Sequence, residues 1–257
     1  MIALLFFALQ LGAEVERWRA AEEASLRSDT GWLTIAGLTW LEEGRNEIEL
    51  PEGVPKFGAF ELRGGKVLFH PAEGGAPVEM RPDPPTRIER GAVSVWVIQR
   101  GQRIGIRLRD TNSKMRREFT GRKWYPLKPE FRLEAKWAPY NPPKPIKVPN
   151  ILGDTNDDKS PGYAEFKLGG KTYRLEAVGV GPGLFFVFRD GTSGKETYGG
   201  GRFLDADKPE AGKVILDFNK ATNPPCAFTP YATCPLPPRQ NRLPVRIEAG
   251  ELKYGDH

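Results

Sequence analysis

Residues 164–178 read AEFKLGGKTYRLEAV, two short runs of alternating apolar and polar side chains joined by Gly169-Gly170. Alternation with period two is the pattern of a half-buried strand, and a two-glycine hinge between such runs is a hairpin turn. Residues 57–70, FGAFELRGGKVLFH, repeat the device. Further β-rich runs occupy residues 86–101 (TRIERGAVSVWVIQRG), 103–110 (RIGIRLRD), 131–139 (FRLEAKWAP), 183–190 (GLFFVFRD) and 212–219 (GKVILDFN). Short strands bounded by Gly, Pro or Asp, without long helical patterns between them, predict a mostly β fold: an antiparallel β-barrel or sandwich. The 29 Gly and 24 Pro sit between the runs rather than in a low-complexity block, which is the punctuation of many tight turns.

The pattern changes toward both ends. Residues 14–29, EVERWRAAEEASLRSD, put Val15, Trp18, Ala21 and Leu26 near one side of a short N-terminal helix that should stop near Asp29 to Gly31. The following GWLTIAGLTWLEEG (31–44) reads as a turn segment covering the core with its indoles buried, or as an aromatic platform for a ligand. APYNPPKPIKVPNILG (138–153) reads as a proline-rich insertion. Residues 217–241, DFNKATNPPCAFTPYATCPLPPRQN, hold neither pattern and predict a long Pro-rich C-terminal strap, after which LPVRIEAGELKY (243–254) supplies a later strand.

Ahead of the helix, MIALLFFALQLGA (1–13) is too short to span a bilayer and reads as a signal peptide processed near Ala13, which leaves 14–257 as a single β-rich domain. Export predicts a periplasmic or secreted protein. A cytoplasmic location is the alternative, because no Lys or Arg precedes the apolar run. Under export Cys226 and Cys234 are expected to form a disulfide restraining the strap, and in a cytosol two thiols. These two Cys with the distant His70 and His257 lack zinc spacing, so no metal is expected; His70 reads as a strand-face residue and His257 as a frayed terminus. A net charge of +5 without a dense basic run argues against nucleic acid as a partner. No stable transmembrane span and no cofactor are expected; Gly199, Gly200 and Gly201 lack the Gly-Lys-Ser/Thr ending of a phosphate loop.

Two stretches 80 positions apart carry the candidate chemistry: RDTNSKMRREFTGR (109–122) and RDGTSGKETYGGGR (189–202). They align Arg109 with Arg189, Asp110 with Asp190, Ser113 with Ser193, Gly121 with Gly201 and Arg122 with Arg202. In each, Asp can accept backbone N–H groups of the turn, Ser can cap it, and an arginine can grip a carboxylate or an anion with two bonds. The second copy adds Lys195, Glu196, Tyr198 and three glycines. The leading expectation is therefore a small polar or anionic ligand held by Arg189, Lys195 and Arg202, with Asn219, Asn223 and Tyr231 of the strap. An enzyme using Asp190, Glu196 and Tyr198 for acid–base chemistry is the alternative, and a structural or envelope interaction module the third. A serine hydrolase is disfavoured, since there is no Gly-x-Ser-x-Gly elbow.

Residues 31–46, 189–205 and above all 214–251 resemble a prokaryotic family known only as domain of unknown function 1684. The resemblance rests most specifically on Asp217, Phe218, Asn219, Asn223, Pro224, Pro225, Cys226, Tyr231, Cys234 and Asn241. It implies one continuous domain over roughly Trp18 to Tyr254 and carries no activity with it.

Overall fold

Both Gly-Gly hinges make hairpins in the computed structural model, which describes residues 2–255, with side chains from Gln10 onward. Gly64, Gly65, Gly169 and Gly170 all take positive φ, the paired left-handed conformation whose twist matches that of the flanking strands. In chain order the elements are α1 (Ile2–Arg27), β1 (Ile35–Trp40), β2 (Gly44–Asn46), β3 (Gly58–Arg63), β4 (Lys66–Pro71), β5 (Val78–Met80), β6 (Arg87–Arg90), β7 (Val93–Arg100), β8 (Arg103–Asp110) and α2 (Lys114–Arg117). Then follow β9 (Arg132–Pro149), β10 (Thr155–Leu168), β11 (Lys171–Glu176), β12 (Leu184–Phe188), β13 (Arg202–Ala206) and β14 (Lys213–Asp217). They divide into two compact units.

The smaller unit takes Ser25–Thr120 and Thr229–Ala232. Its two antiparallel sheets run β1-β8-β7-β6 and β2-β3-β4-β5. Val93, Val95, Val97, Ile106 and Leu108 of the first sheet pack against Phe57, Phe60, Leu62, Val67 and Phe69 from the second, a two-layer sandwich. The opposite face of the first sheet is cationic and aromatic: the Arg107 guanidinium lies 5.2 Å from the Trp32 ring and that of Arg103 5.8 Å from Trp40. This pairing explains why residues 35–40 are not the expected turn. They form β1 along β8, bulged at Ala36, and the half-buried indoles of Trp40 and of Trp32 just before the strand stack with the guanidiniums of Arg103 and Arg107 on β8.

The larger unit takes Gly121–Phe228, Thr233 onward, and the N-terminal stretch up to Ala24. A sheet of order β11-β10-β9-β14 and the two-stranded β12-β13 share a core of Phe166, Leu175, Phe186, Phe188, Leu204, Leu216 and Phe218. β12 is buried on both faces, with Phe186 and Phe188 in that core and Val187 in a second cluster with Ile146 and Val148, as a continuous apolar run requires. The proline-rich 138–153 stretch is not an insertion, since β9 runs through it. β14 pairs with β9 only from Arg132 to Lys136, so beyond that point the prolines occupy a strand with one unpaired side, where a missing N–H costs no ladder bond.

Every sheet keeps two open edges, so among the described residues none closes; the architecture is of sandwich type, and a barrel is excluded. The helix is longer than expected at its start, continuing without a break from Ile2 through Ala13, with Leu11 and Val15 buried. Met1 and His257 lie outside the described residues. His70 sits on β4 with Nε2 2.9 Å from Glu61 Oε2. No helix among the described residues is long and apolar enough to cross a membrane. Residues 243–254 form no strand either: the strap is extended, touching the sheets through single bridges.

Phe186 on β12 is fully buried while Ile215 on β14 is 41% exposed. Phe186→Ala should therefore cost about 3–5 kcal/mol in urea unfolding, and Ile215→Ala no more than about 0.5 kcal/mol; comparable losses would contradict this assignment of faces.

Candidate functional site

The strap has no ladder to satisfy its backbone, and two of the expected site residues do that work. Asp190 and Arg202 form an ion pair at 3.0 Å with both side chains fully buried. Arg202 also donates to the carbonyls of Ile247 (3.0 Å) and Ala249 (2.5 Å). Asp190 accepts the Ile247 N–H at 2.7 Å, the Thr192 N–H and hydroxyl, and the Ser193 hydroxyl. Its lone pairs are thus occupied by structural partners, which suits a cross-brace and leaves no site for general acid–base work. The adjoining Gly201 has φ +106°, and a Cβ there would lie 2.5 Å from Pro237 Cγ, so the glycine run is a tight corner under the strap.

The remaining expected residues scatter. Arg189 is half-buried and Lys195 exposed. Glu196 pairs with Arg246 at 2.7 Å, and this hydrogen bond holds its carboxyl below the usual range. Burial pushes the Tyr198 hydroxyl upward in pKa; it reaches the Cys226 carbonyl at 3.4 Å. Asn219, fully buried, clamps both the N–H and the carbonyl of Lys128 at 3.0 Å. Tyr231 belongs to the smaller unit, where it packs with Trp96 and Ile98. The expected disulfide is absent. Cys226 and Cys234 are thiols, and Cys234 Sγ accepts the Cys226 N–H at 3.2 Å, so the pair meets as hydrogen-bond partners and not as a bond. The Cys234 contact is also the main reason the Cys226 thiol is held below its ordinary pKa.

Two of the expected ligand residues carry a buried polar atom without a hydrogen-bond partner among the described residues: Arg202 at Nε, and Asn223, which is brought to a cluster with several more. Residues 123–125 zip onto 250–252 through Tyr125 N–H to Gly250 O (2.9 Å) and Leu252 N–H to Lys123 O (2.8 Å). This places Arg122 and Trp124 on the side of Glu251, which is fully buried. Gly250 makes the approach possible: at φ +83°, a Cβ would lie 2.6 Å from Ala221 O. Asn223 donates its backbone N–H to Glu251 Oε2 at 2.8 Å and its side-chain amide to Leu252 O at 2.8 Å. Arg122, its side chain 6% exposed, stands at 3.5 Å from Glu251 Oε1 and 3.6 Å from Glu22 Oε2, ion contacts too long for good hydrogen bonds. Arg122 Nε and Nη1, Glu251 Oε1 and Asn223 Oδ1 are consequently buried with no hydrogen-bond partner among the described residues. The rings of Trp124 and Phe228 lie 5.7 and 5.5 Å from the guanidinium. Burial in this company raises the Glu251 pKa to about 7, Arg122 and Asn223 opposing the rise only in part.

Sequence reasoning missed Glu251 and assigned Arg122 only as the counterpart of Arg202. The usable signal was parity: Ile247, Ala249 and Glu251 alternate inward along the strap, so a carboxylate falls on an otherwise apolar face. Among the described residues no three His, Cys, Asp or Glu side chains converge as a metal site.

The fold and cluster define a β-sandwich-type protein with a buried, mixed-charge cluster of polar side chains in its larger unit. The chain belongs to the family described as "Protein of unknown function (DUF1684)", whose model matches residues 117–252, a span that includes Arg122, Asn223 and Glu251. The match is narrower than the resemblance read from sequence, and residues 31–46 fall outside it. Among solved structures the chain is similar to the solution NMR structure of the uncharacterized protein from gene locus rrnAC0354 of Haloarcula marismortui, with 30% identity, 55% of this chain and 81% of that one covered, and a TM-score of 0.46. A comparison with curated proteins found no match.

Two outcomes follow from the site's electrostatics. Asp190→Asn or Arg202→Met, each stranding one buried charge or its backbone partners, should cost about 3–5 kcal/mol, and a loss below about 1 kcal/mol would remove the brace from its assigned role. Glu251 in the folded chain holds its proton up to about pH 7, against an ordinary value of 4.5. Between those values the folded state binds more protons than the unfolded one, so this contribution is complete below the lower value and lost above the upper. Glu251→Gln has no such proton to lose, and its stability relative to the parent should improve by roughly 3 kcal/mol from pH 4.5 to pH 7.5. A pH-independent difference in urea midpoints would show that Glu251 is ionised throughout.

Proposed function

We propose that the chain binds a small polar ligand at Arg122, Asn223 and Glu251. The observation that carries this reading is the coincidence of four unpartnered buried polar atoms in one place, because leaving such atoms unpaired costs roughly 1–3 kcal/mol each. Their chemistry describes the occupant. Arg122 Nε and Nη1 call for an acceptor such as a carboxylate, while Asn223 Oδ1 and ionised Glu251 Oε1 call for donors such as hydroxyl or amine groups. The rings of Trp124 and Phe228 offer an apolar wall. A small hydroxy acid or amino acid meets all three demands. This moves the anion contact from Arg189, Lys195 and Arg202, the last of which is committed to the strap, to Arg122.

The Glu251 pKa of about 7 favours a second reading, in which the bound molecule exchanges a proton with Glu251 at neutral pH. Turnover would then fall with Glu251→Gln by more than its weakened binding accounts for.

Calorimetry and melting against a panel of small hydroxy acids, amino acids and polyols test the first reading. A ligand at a hundred times its dissociation constant should raise stability by about 2.7 kcal/mol; Arg122→Met and Glu251→Gln, checked for folding by circular dichroism, should abolish the gain. No saturable binding across the panel, or unchanged binding in both folded variants, would overturn it.

A further inference from the structure

The first Arg-Asp corner, in the smaller unit, holds a feature unrelated to the site above. On the outer face of its first sheet, Arg87 of β6 lies directly across from Trp96 of β7, and Arg109 of β8 directly across from Ser94, so all four side chains share one face. The Arg87 guanidinium is 4.3 Å from the Trp96 ring centroid and that of Arg109 5.1 Å from the same ring. Two cations thus gather at one indole. Arg109 is held in place: Nε donates to Thr34 Oγ1 at 2.9 Å and Nη2 to Thr30 O at 2.7 Å. Its Nη1 has no protein acceptor among the described residues, and Arg87 makes no ion pair there. Burial and repulsion from Arg87 both lower the Arg109 pKa, and no carboxylate counters them. Of the two acids that also line the cavity, Asp29 is taken by Arg116 at 2.7 Å, and Glu89, directly across from Ser94, is exposed to solvent. The cavity itself measures about 330 Å³, the scale of a small-ligand pocket, and Arg87, Arg109, Ser94 and Thr111 are among the residues that line it.

We infer that this cavity is an oxyanion site, in which Arg87 and Arg109 together bind a phosphate group, either free or carried by a small organic molecule. An anion between the guanidiniums relieves their mutual repulsion, takes the open Arg109 Nη1 and the exposed fork of Arg87, and finds a hydroxyl donor in Ser94. Arg109 is pre-positioned by Thr30 and Thr34, so only Arg87 must be ordered on binding.

Trp96 fluorescence and calorimetry of the full chain, titrated with inorganic phosphate and with glycerol phosphate against chloride at equal ionic strength, test this. Saturable binding of either phosphate is expected, weakened at least tenfold by Arg87→Met, whose exposed side chain leaves the melting temperature unchanged. Equal affinities assign free phosphate and a tighter ester assigns an organic phosphate. Absence of saturation beyond the chloride control, or an Arg87→Met variant that binds as the parent does, overturns the inference.

Discussion

The larger unit depends on a charged pair that water does not reach. Burying Asp190 and Arg202 costs several kcal/mol of hydration per ion, and the pair is favourable only when its remaining lone pairs and N–H groups are also used. Nearly all are used on backbone, with Arg202 Nε the exception: Ile247 through both its N–H and its carbonyl, Ala249 through its carbonyl, Thr192 through its N–H. Those strap groups have no strand beside them to bond with, and buried backbone left unpaired would be equally costly. Pair and strap each supply what the other lacks. A strand in the strap's place would make the pair unnecessary, which is why the motif sits beside irregular chain.

That brace also sets the chemistry next to it. With Ile247 and Ala249 held inward, the next inward position is Glu251, and the zipper from Lys123 and Tyr125 to Gly250 and Leu252 keeps it there. A carboxylate in an apolar register cannot be solvated, so its proton is retained to a pH where an ordinary glutamate is ionised. Arg122 answers the charge at 3.5 Å without closing a good hydrogen bond. In the structural brace only Arg202 Nε lacks a hydrogen-bond partner among the described residues, while the neighbouring cluster leaves four atoms without one, and this contrast separates the residues that hold the fold from those with capacity for a ligand.

The repeated corner shows how local sequence and tertiary role part company. In both copies Asp takes the N–H two residues on, from Asn112 at 2.8 Å and from Thr192 at 3.3 Å, because an Asp before a turn has that bond within reach wherever it lies. Ser113 goes on to cap α2 and to bond Leu33 O, whereas Ser193 folds back on its own Asp. Arg202 closes onto Asp190, but Arg122, its counterpart 80 positions earlier, belongs to a different unit from Asp110 and turns to Glu251. The corners share a way of turning the chain, and the unit around each gives the shared residues different roles.

Alternation around Gly64-Gly65 and Gly169-Gly170, the apolar run of β12 and the amphipathic stretch from Val15 to Leu26 determined the hairpins, the strands and the helix, because side-chain parity and positive-φ glycines act over a few residues and leave their mark in order along the chain. The absence of a strand in 243–254 was hidden, since the same alternation serves a ladder and a strap braced by distant side chains. The strand through 138–149 was hidden for the opposite reason: prolines forbid a central strand but not one whose far side is unpaired, and only the extent of β14 decides which it is. The thiol state of Cys226 and Cys234 depends on where Sγ points, not on their spacing. Arg122, Asn223 and Glu251 are 28 to 129 positions apart along the chain, and each alone is unremarkable in sequence. Their meeting, and the burial that makes their unpaired atoms and raised pKa matter, exists only in the folded chain, because desolvation is a property of the whole surroundings and not of any residue's neighbours in sequence.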